Sequence, residues 1–226
     1  MAISDPTKFL ATKKELATIP DVNASVQNVD FKTQTYAGKI YLSQELIDDS
    51  AVDIKQEVQT QLQQLVLNTD NHNVLALLQT LTSKNVVDID GLKKIKNTEI
   101  DPAILAADGS VVITNQDGFN YLDILKDSEG RYLLTEDVTV QSGKALFGLP
   151  AIIVSNVVLP DTSGQFPVFI GNFPQAIAVF RRNNVTANWN QFDSYSQGLS
   201  VSYRGDYEFI NKDAIKYALV GTPAGK

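Results

Sequence analysis

Ile47, Ala51, Ile54, Val58, Leu62 and Leu65 recur at spacings of three and four, which places them on one face of a helix. Lys55, Gln56, Gln59 and Gln63 take the opposite face. The chain is thereby committed to a long helix that covers an apolar core. Ser50, with Asp53 three residues later, has the form of a capping pair, so a short helix, SQELIDD, ends there and the long one begins. The long helix is expected to run from about Ser50 to Asn68. Asp70 then stands as the cap of a second apolar segment, NVLALLQTL.

The text on either side of this helix is of another kind. From Val26 to Ser43, VQNVDFKTQTYAGKIYLS interleaves Val, Phe, Tyr and Ile with polar residues, the pattern of long extended structure. Such a run is either an edge strand or an arm that finds its partners in another subunit. Beyond a lysine-bearing helix near Asp90 to Lys96, Val111 to Thr114 reads as a buried strand. Asn115 then caps a helix whose buried stripe is Phe119, Leu122 and Leu125. The following DSEG has the residues of a type I turn or a glycine helix stop. The last third consists of short β-type runs, LFGLPAIIVSN, FPVFIGNF, AIAVFRRNNVTANW, LSVSYRGDYEFI and AIKYALV, separated by Gly, Pro, Asn and Asp. The architecture expected is α+β, with interwoven lobes and no repeat.

Composition removes most chemistry. The 226 residues include no cysteine and one histidine, which excludes disulfides, thiol nucleophiles and cysteine-bound metal centres. His72 reads as a surface residue, with no G-x-S-x-G elbow to accompany it. There is no G-x-G or G-K-[ST] phosphate loop. The acid pairs Asp48–Asp49 and Glu136–Asp137 consist of neighbours whose side chains diverge. No catalytic, cofactor-binding or metal-ligating residue is therefore assigned. The N-terminus lacks the apolar core of a secretory signal, and the longest apolar run, Ala145 to Val154, is shorter than the roughly 18–20 residues that span a bilayer. A net charge of −7 argues against a surface that grips phosphate backbones, so the lysines of GLKKIKN read as a solvated helix face. Trp189, Phe192 and Tyr195 cluster among Asn and Gln, able to stack on bases or sugars or to pack at a sheet edge or subunit contact. In an acidic chain the contact is favoured.

One pair of motifs is more specific. LKDSEGRYLL, Leu125 to Leu134, followed shortly by LFGLPAIIVSN, resembles the paired signature of tailed-bacteriophage major capsid proteins of the Hong Kong ninety-seven type. In that family a helix ends in an LKD-x-EGRY turn, and a GLPV-like strand comes next. AGKIYLSQELIDDSAVDIKQEVQTQL is similar to the family's strand, S-x-E-L element and spine helix. FPVFIGNFPQAIAVFRRNNVTANW and YRGDYEFINKDAIKYALV resemble its later hairpin and closing strands, so the likeness runs from about Ile19 to Val220.

The resemblance implies a peripheral domain, with a long spine helix and β-ribbon, and an axial domain with a mixed sheet flanked by helices. The boundaries it implies are a partial extended loop or arm over 1–43, a peripheral domain over 44–88 and 160–226, and an axial domain over 89–159. The run Val26 to Ser43 becomes the returning limb of the loop. The implied function is a head protein, not an enzyme, that self-assembles into pentamers and hexamers of an icosahedral phage or prophage shell around double-stranded DNA. It implies location in the virion after assembly in the bacterial host cytoplasm. Partners would be further copies of itself and scaffold, portal, maturation protease or cement proteins, with DNA held without sequence-specific contacts and no membrane. Asp127, Glu129, Arg131, Trp189, Phe192 and Tyr195 become candidate subunit contacts. Because family members carry an N-terminal arm before the loop and this sequence starts at about the loop, weak or absent shell assembly is expected. An encapsulin-like nanocompartment shell shares the fold and is the alternative. A carbohydrate-binding or hydrolytic module built on the Trp189 region is more remote.

Overall fold

Val168, Phe169 and Ile170 are consecutive and fully buried, which a strand allows only when both its faces are covered. The computed structural model describes residues 30–43, 45, 54–125, 132, 134–136, 143–182, 186–193 and 196–222. Its strands are β1 (Gln34–Ser43), β2 (Ser83–Val86), β3 (Ser110–Asn115), β4 (Thr135–Glu136), β5 (Lys144–Leu146), β6 (Leu149–Val154), β7 (Phe166–Asn172), β8 (Ile177–Arg181), β9 (Thr186–Asp193), β10 (Ser196–Phe209) and β11 (Ile215–Val220). Its helices are α1 (Ile54–Gln79), α2 (Ile89–Glu99), α3 (Pro102–Leu105), α4 (Gln116–Ile124) and α5 (Phe173–Ala176).

A seven-stranded mixed sheet has the order β2-β11-β7-β3-β6-β5-β4. Its parallel pairs are β2 with β11 and β3 with β6. One face sets Val112, Val168, Ile170, Ala218 and Val220 against Leu92 and Ile95 of α2 and Leu122 of α4. The other sets Phe169, Ile215, Tyr217 and Leu219 against Leu75 and Leu78 of α1 and Leu159. Strands β7 and β11 thus share one hydrogen-bonded sheet with β3 and β6, across residue 160.

Local chemistry fixes the joints. Asn115 caps α4 as its sequence position suggests, its Oδ1 accepting from Gly118 N at 2.7 Å. Its amide donates to Leu159 O and Asp161, tying the helix start to the loop after β6. Leu122 is buried, with Phe119 and Leu125 packed on the same core. The hairpin from β5 to β6 turns through Phe147 and Gly148, both at positive φ, the geometry of a type I′ turn. Gly171 is irreplaceable for a different reason: a Cβ there would lie 2.0 Å from Ala214 O.

A second sheet has β10 at its centre. Strand β1 pairs along one edge, from Gln34↔Gly205 to Ser43↔Ser196, and β9 and β8 follow one another along the other. Of the expected run Val26 to Ser43, the described strand starts at Gln34. Leu42, Leu199, Val201 and Tyr203 of this ribbon pack against Val58, Leu62 and Val66 of α1.

The expected end of the long helix near Asn68, with a new start capped by Asp70, is corrected: α1 runs unbroken from Ile54 to Gln79. The polar stretch bonds back into the helix, Thr69 Oγ1 donating to Leu65 O and Asn73 Nδ2 to Thr69 O. The proposed cap at Ser50 and Asp53 lies outside the described residues. Leu65, placed in the buried stripe by its spacing, is 48% exposed, and Val66 is buried in its stead. The buried positions Val58, Leu62, Val66 and Leu78, with the partly buried Val74, follow a spacing of four. Each such step turns about 40° beyond a full revolution, so Leu78 points about 200° around the axis from Val58. The first half of α1 therefore faces the ribbon and the second half faces the large sheet.

Phe169 is 0% exposed and stacks on Tyr217 with ring centroids 4.5 Å apart. Phe169→Ala is expected to lower the unfolding free energy by about 3–5 kcal/mol, measured by denaturant titration.

Candidate functional site

The row of residues four apart along α1 is apolar except at Asp70, between Val66 and Val74. A carboxylate in that position must find partners, and the ribbon supplies them. Arg181, at the end of β8, forms an ion pair with Asp70 Oδ2. Tyr207 Oη donates to Asp70 Oδ1, and Tyr203 Oη lies 3.4 Å from the same oxygen. The two phenol oxygens are 3.3 Å apart. The Arg181 guanidinium also stands 5.1 Å from the centroid of the Tyr203 ring. Tyr36 of β1 completes the cluster, stacked on Tyr203 at 5.1 Å and edge-on to Tyr207 at 6.1 Å.

Strand register brings these groups together. Tyr36 is directly opposite Tyr203, and Gly205 is directly opposite Arg181, so all point to the α1 side of the ribbon. Gly205 admits the close approach of the Phe180 carbonyl and the Tyr203 ring, since a Cβ there would lie 3.0 Å from Phe180 O and 3.6 Å from the ring edge. Burial pushes the Tyr207 phenol far above its usual range, and its hydrogen bonds to Asp70 and Tyr203 add to the shift. Burial raises Tyr203 as well, and raises Tyr36 with help from Tyr203, Asp206 and Asp70. The phenols keep their protons, and those of Tyr203 and Tyr207 act as donors to Asp70. The cluster offers no activated nucleophile; what it does is fasten α1 to β8 and β10.

Asp70 was legible in the sequence only as a cap, and its partners Arg181, Tyr203 and Tyr207 carried no signal. The signal that identifies Asp70 is its place in the spacing-four row. Of the candidate contacts read from sequence, Asp127, Glu129, Arg131 and Tyr195 lie outside the described residues. Trp189 lies on β9 opposite Leu199, and Phe192 is the extra residue where the β9–β10 register shifts. His72 is exposed on α1.

Exposed apolar groups mark other surfaces. Val157 is 91% exposed at the tip of the turn after β6. That turn is held from behind: Asn156 Oδ1 accepts from Asp117 N, Asn156 N donates to Gln116 Oε1, and Leu159 is fully buried. The valine is thus presented on a fixed support. Along α1, grooves of about 590 and 340 Å³ flank Val66, one passing Leu67 and Leu199 and the other Leu65 and Tyr36.

A sequence profile described as the phage capsid family matches residues 3–219. The chain belongs to the phage capsid family. No curated protein sequence matches it. Among solved structures, this phage capsid protein is similar to the capsid of a native GTA particle computed with C5 symmetry, at 15% identity and a TM-score of 0.69, covering 93% of this chain and 80% of that one. It is also similar to a structure from Gordonia phage Cozz, at 17% identity and a TM-score of 0.63, covering 98% and 80%. A third likeness is to an encapsulin complex from Synechococcus elongatus, at 9% identity and a TM-score of 0.59, covering 86% and 77%. The four-stranded ribbon on a long helix and the mixed sheet flanked by helices are the architecture expected of the Hong Kong ninety-seven type.

The raised phenol fixes a pH dependence. A folded-state pKa above the unfolded value of about 10 leaves the phenol's contribution intact below pH 10 and removes it as pH climbs toward the folded value. The unfolding free energy of this capsid protein is expected to fall as pH rises above about 10, and to fall less steeply in Tyr207→Phe. Chemical denaturation at a series of alkaline pH values checks this.

Proposed function

We propose that this phage capsid protein tiles an icosahedral head through pentamers and hexamers, enclosing double-stranded DNA without sequence-specific contacts. The observation that carries the reading is the family match over residues 3–219, nearly the whole chain. Its mechanism is geometric: identical contacts repeated under rotational symmetry close a surface, and many modest interfaces add to a stable shell. In this reading 44–88 and 160–226 form the peripheral domain, 89–159 the axial domain, and 1–43 part of the extended loop and arm, the large sheet being built from strands of both domains. Asp127, Glu129, Arg131, Trp189, Phe192 and Tyr195 contribute subunit contacts, and so does Val157. The role is structural rather than enzymatic. Scaffold, portal, maturation protease and cement proteins are its partners, assembly takes place in the host cytoplasm, and the finished protein resides in the virion.

An encapsulin-like shell is the second reading, favoured by the likeness to the Synechococcus elongatus complex. It predicts a protein cargo in the lumen, where the leading reading predicts DNA. Expression of the complete gene, followed by sedimentation velocity and electron microscopy, tests both. Closed shells of uniform size, or rings of five and six, are expected; a chain that stays monomeric at every concentration would sink both readings. Nuclease-protected DNA in particles from an induced lysogen supports the head, and a co-purified cargo protein supports the nanocompartment. Val157→Asp is expected to lower shell yield while changing stability by no more than about 0.5 kcal/mol, because its site is exposed in the single chain. Particle counts and thermal melts read the two effects separately.

A further inference from the structure

Among the described residues, three stretches of chain cross between the ribbon and the large sheet. Helix α1 leaves the ribbon's core at Val66 and enters the large sheet's core at Val74 and Leu75. Strand β8 starts against the large-sheet core at Ile177 and reaches the ribbon at Arg181. Strand β10 passes from Tyr203 in the ribbon's core to Phe209 against the other. The two cores share no residue, so these crossings form a neck. On α1 the residues at the neck are polar: Asn68, Thr69, Asp70, Asn71, His72 and Asn73.

The Asp70 cluster places a group on each crossing: the carboxylate on α1, the guanidinium of Arg181 on β8, and the phenols of Tyr203 and Tyr207 on β10. We propose that this cluster is a lock at the neck, which sets the angle of the ribbon to the large sheet and whose release lets the ribbon pivot as a unit. The ribbon moves whole because its own ladder, ten paired residues from Gln34↔Gly205 to Ser43↔Ser196, does not depend on the lock. The lock is releasable because its ion pair is only partly shielded, with side-chain exposures of 37% for Arg181 and 19% for Asp70. Water replaces such bonds at far lower cost than it replaces a buried apolar contact. The use of the pivot rests on the shell reading: a tile that serves both five-fold and six-fold rings must meet its neighbours at different angles. The pivot itself does not rest on it.

The test uses the natural absence of cysteine. Ser202→Cys on the ribbon and Asn97→Cys on α2, both at exposed positions, carry a pair of spin labels. Labelled chain is diluted in unlabelled chain, so dipolar spectroscopy reads distances within one molecule whether or not shells form. A single narrow distance distribution is expected for the parent. Asp70→Asn and Tyr207→Phe are each expected to widen it about twofold while hydrogen exchange stays slow in β1 and β10. Tyr207→Phe removes one hydroxyl only and serves if Asp70→Asn does not fold. Val66→Ala is the control, loosening the apolar contact of α1 with the ribbon without touching the lock. An unchanged width in folded Tyr207→Phe overturns the proposal, and so does a Val66→Ala distribution as wide as those of the lock variants.

Discussion

A helix with an apolar group at every fourth position cannot bury them all on one flat surface, because the row turns by about 40° at each step. Over the length of α1 that drift adds up to a change of side. Val58, Leu62 and Val66 meet the ribbon, and Leu75 and Leu78 meet the large sheet. Both sheets depend on this one helix for part of their covering. Its half-turn of stripe is what lets a single element serve two cores that do not touch through shared residues.

Where the stripe changes side, apolar packing runs out and polar chemistry takes its place. Asp70 occupies that position, and its cost there is offset by an arginine and two phenols from the ribbon. A partly exposed ion pair by itself contributes little to stability. Here it is combined with stacked rings and with two phenols that donate to one carboxylate oxygen, and its value is directional: it fixes how the ribbon is set on the helix. The large sheet uses the opposite device. Asn115 and Asn172, both fully buried, cap helices with one side-chain oxygen and clamp neighbouring loops with the amide. Each such amide is satisfied, so its burial yields rigidity instead of strain.

Much of the fold was legible. Strand runs in the last third appear as β6 to β11, and the strand–cap–helix unit around Asn115 forms as its residues suggest, because caps and alternation are local physics. The LKD-x-EGRY and GLP motifs pointed to the capsid family, and the family match bears this out. The helix break at Asn68 to Asp70 was misread for an identifiable reason. Asp, Asn and Thr favour caps in isolation, but tertiary contacts absorb Asp70 and back-bonding absorbs Thr69 and Asn73. Leu65 was misassigned because spacings of three and of four diverge over several turns, and only the packed partner selects between them.

By itself, then, the amino-acid sequence determined the strand runs of the last third, where Asn115 starts a helix, and which family the ordered motifs resemble. Those properties depend on neighbours a few residues away. The tertiary structure alone decided that α1 is continuous, that its buried face rotates from one sheet to the other, and that Asp70 meets Arg181, Tyr203 and Tyr207. Those partners lie more than a hundred residues downstream, and strand register, which no local pattern encodes, is what brings them to the same face.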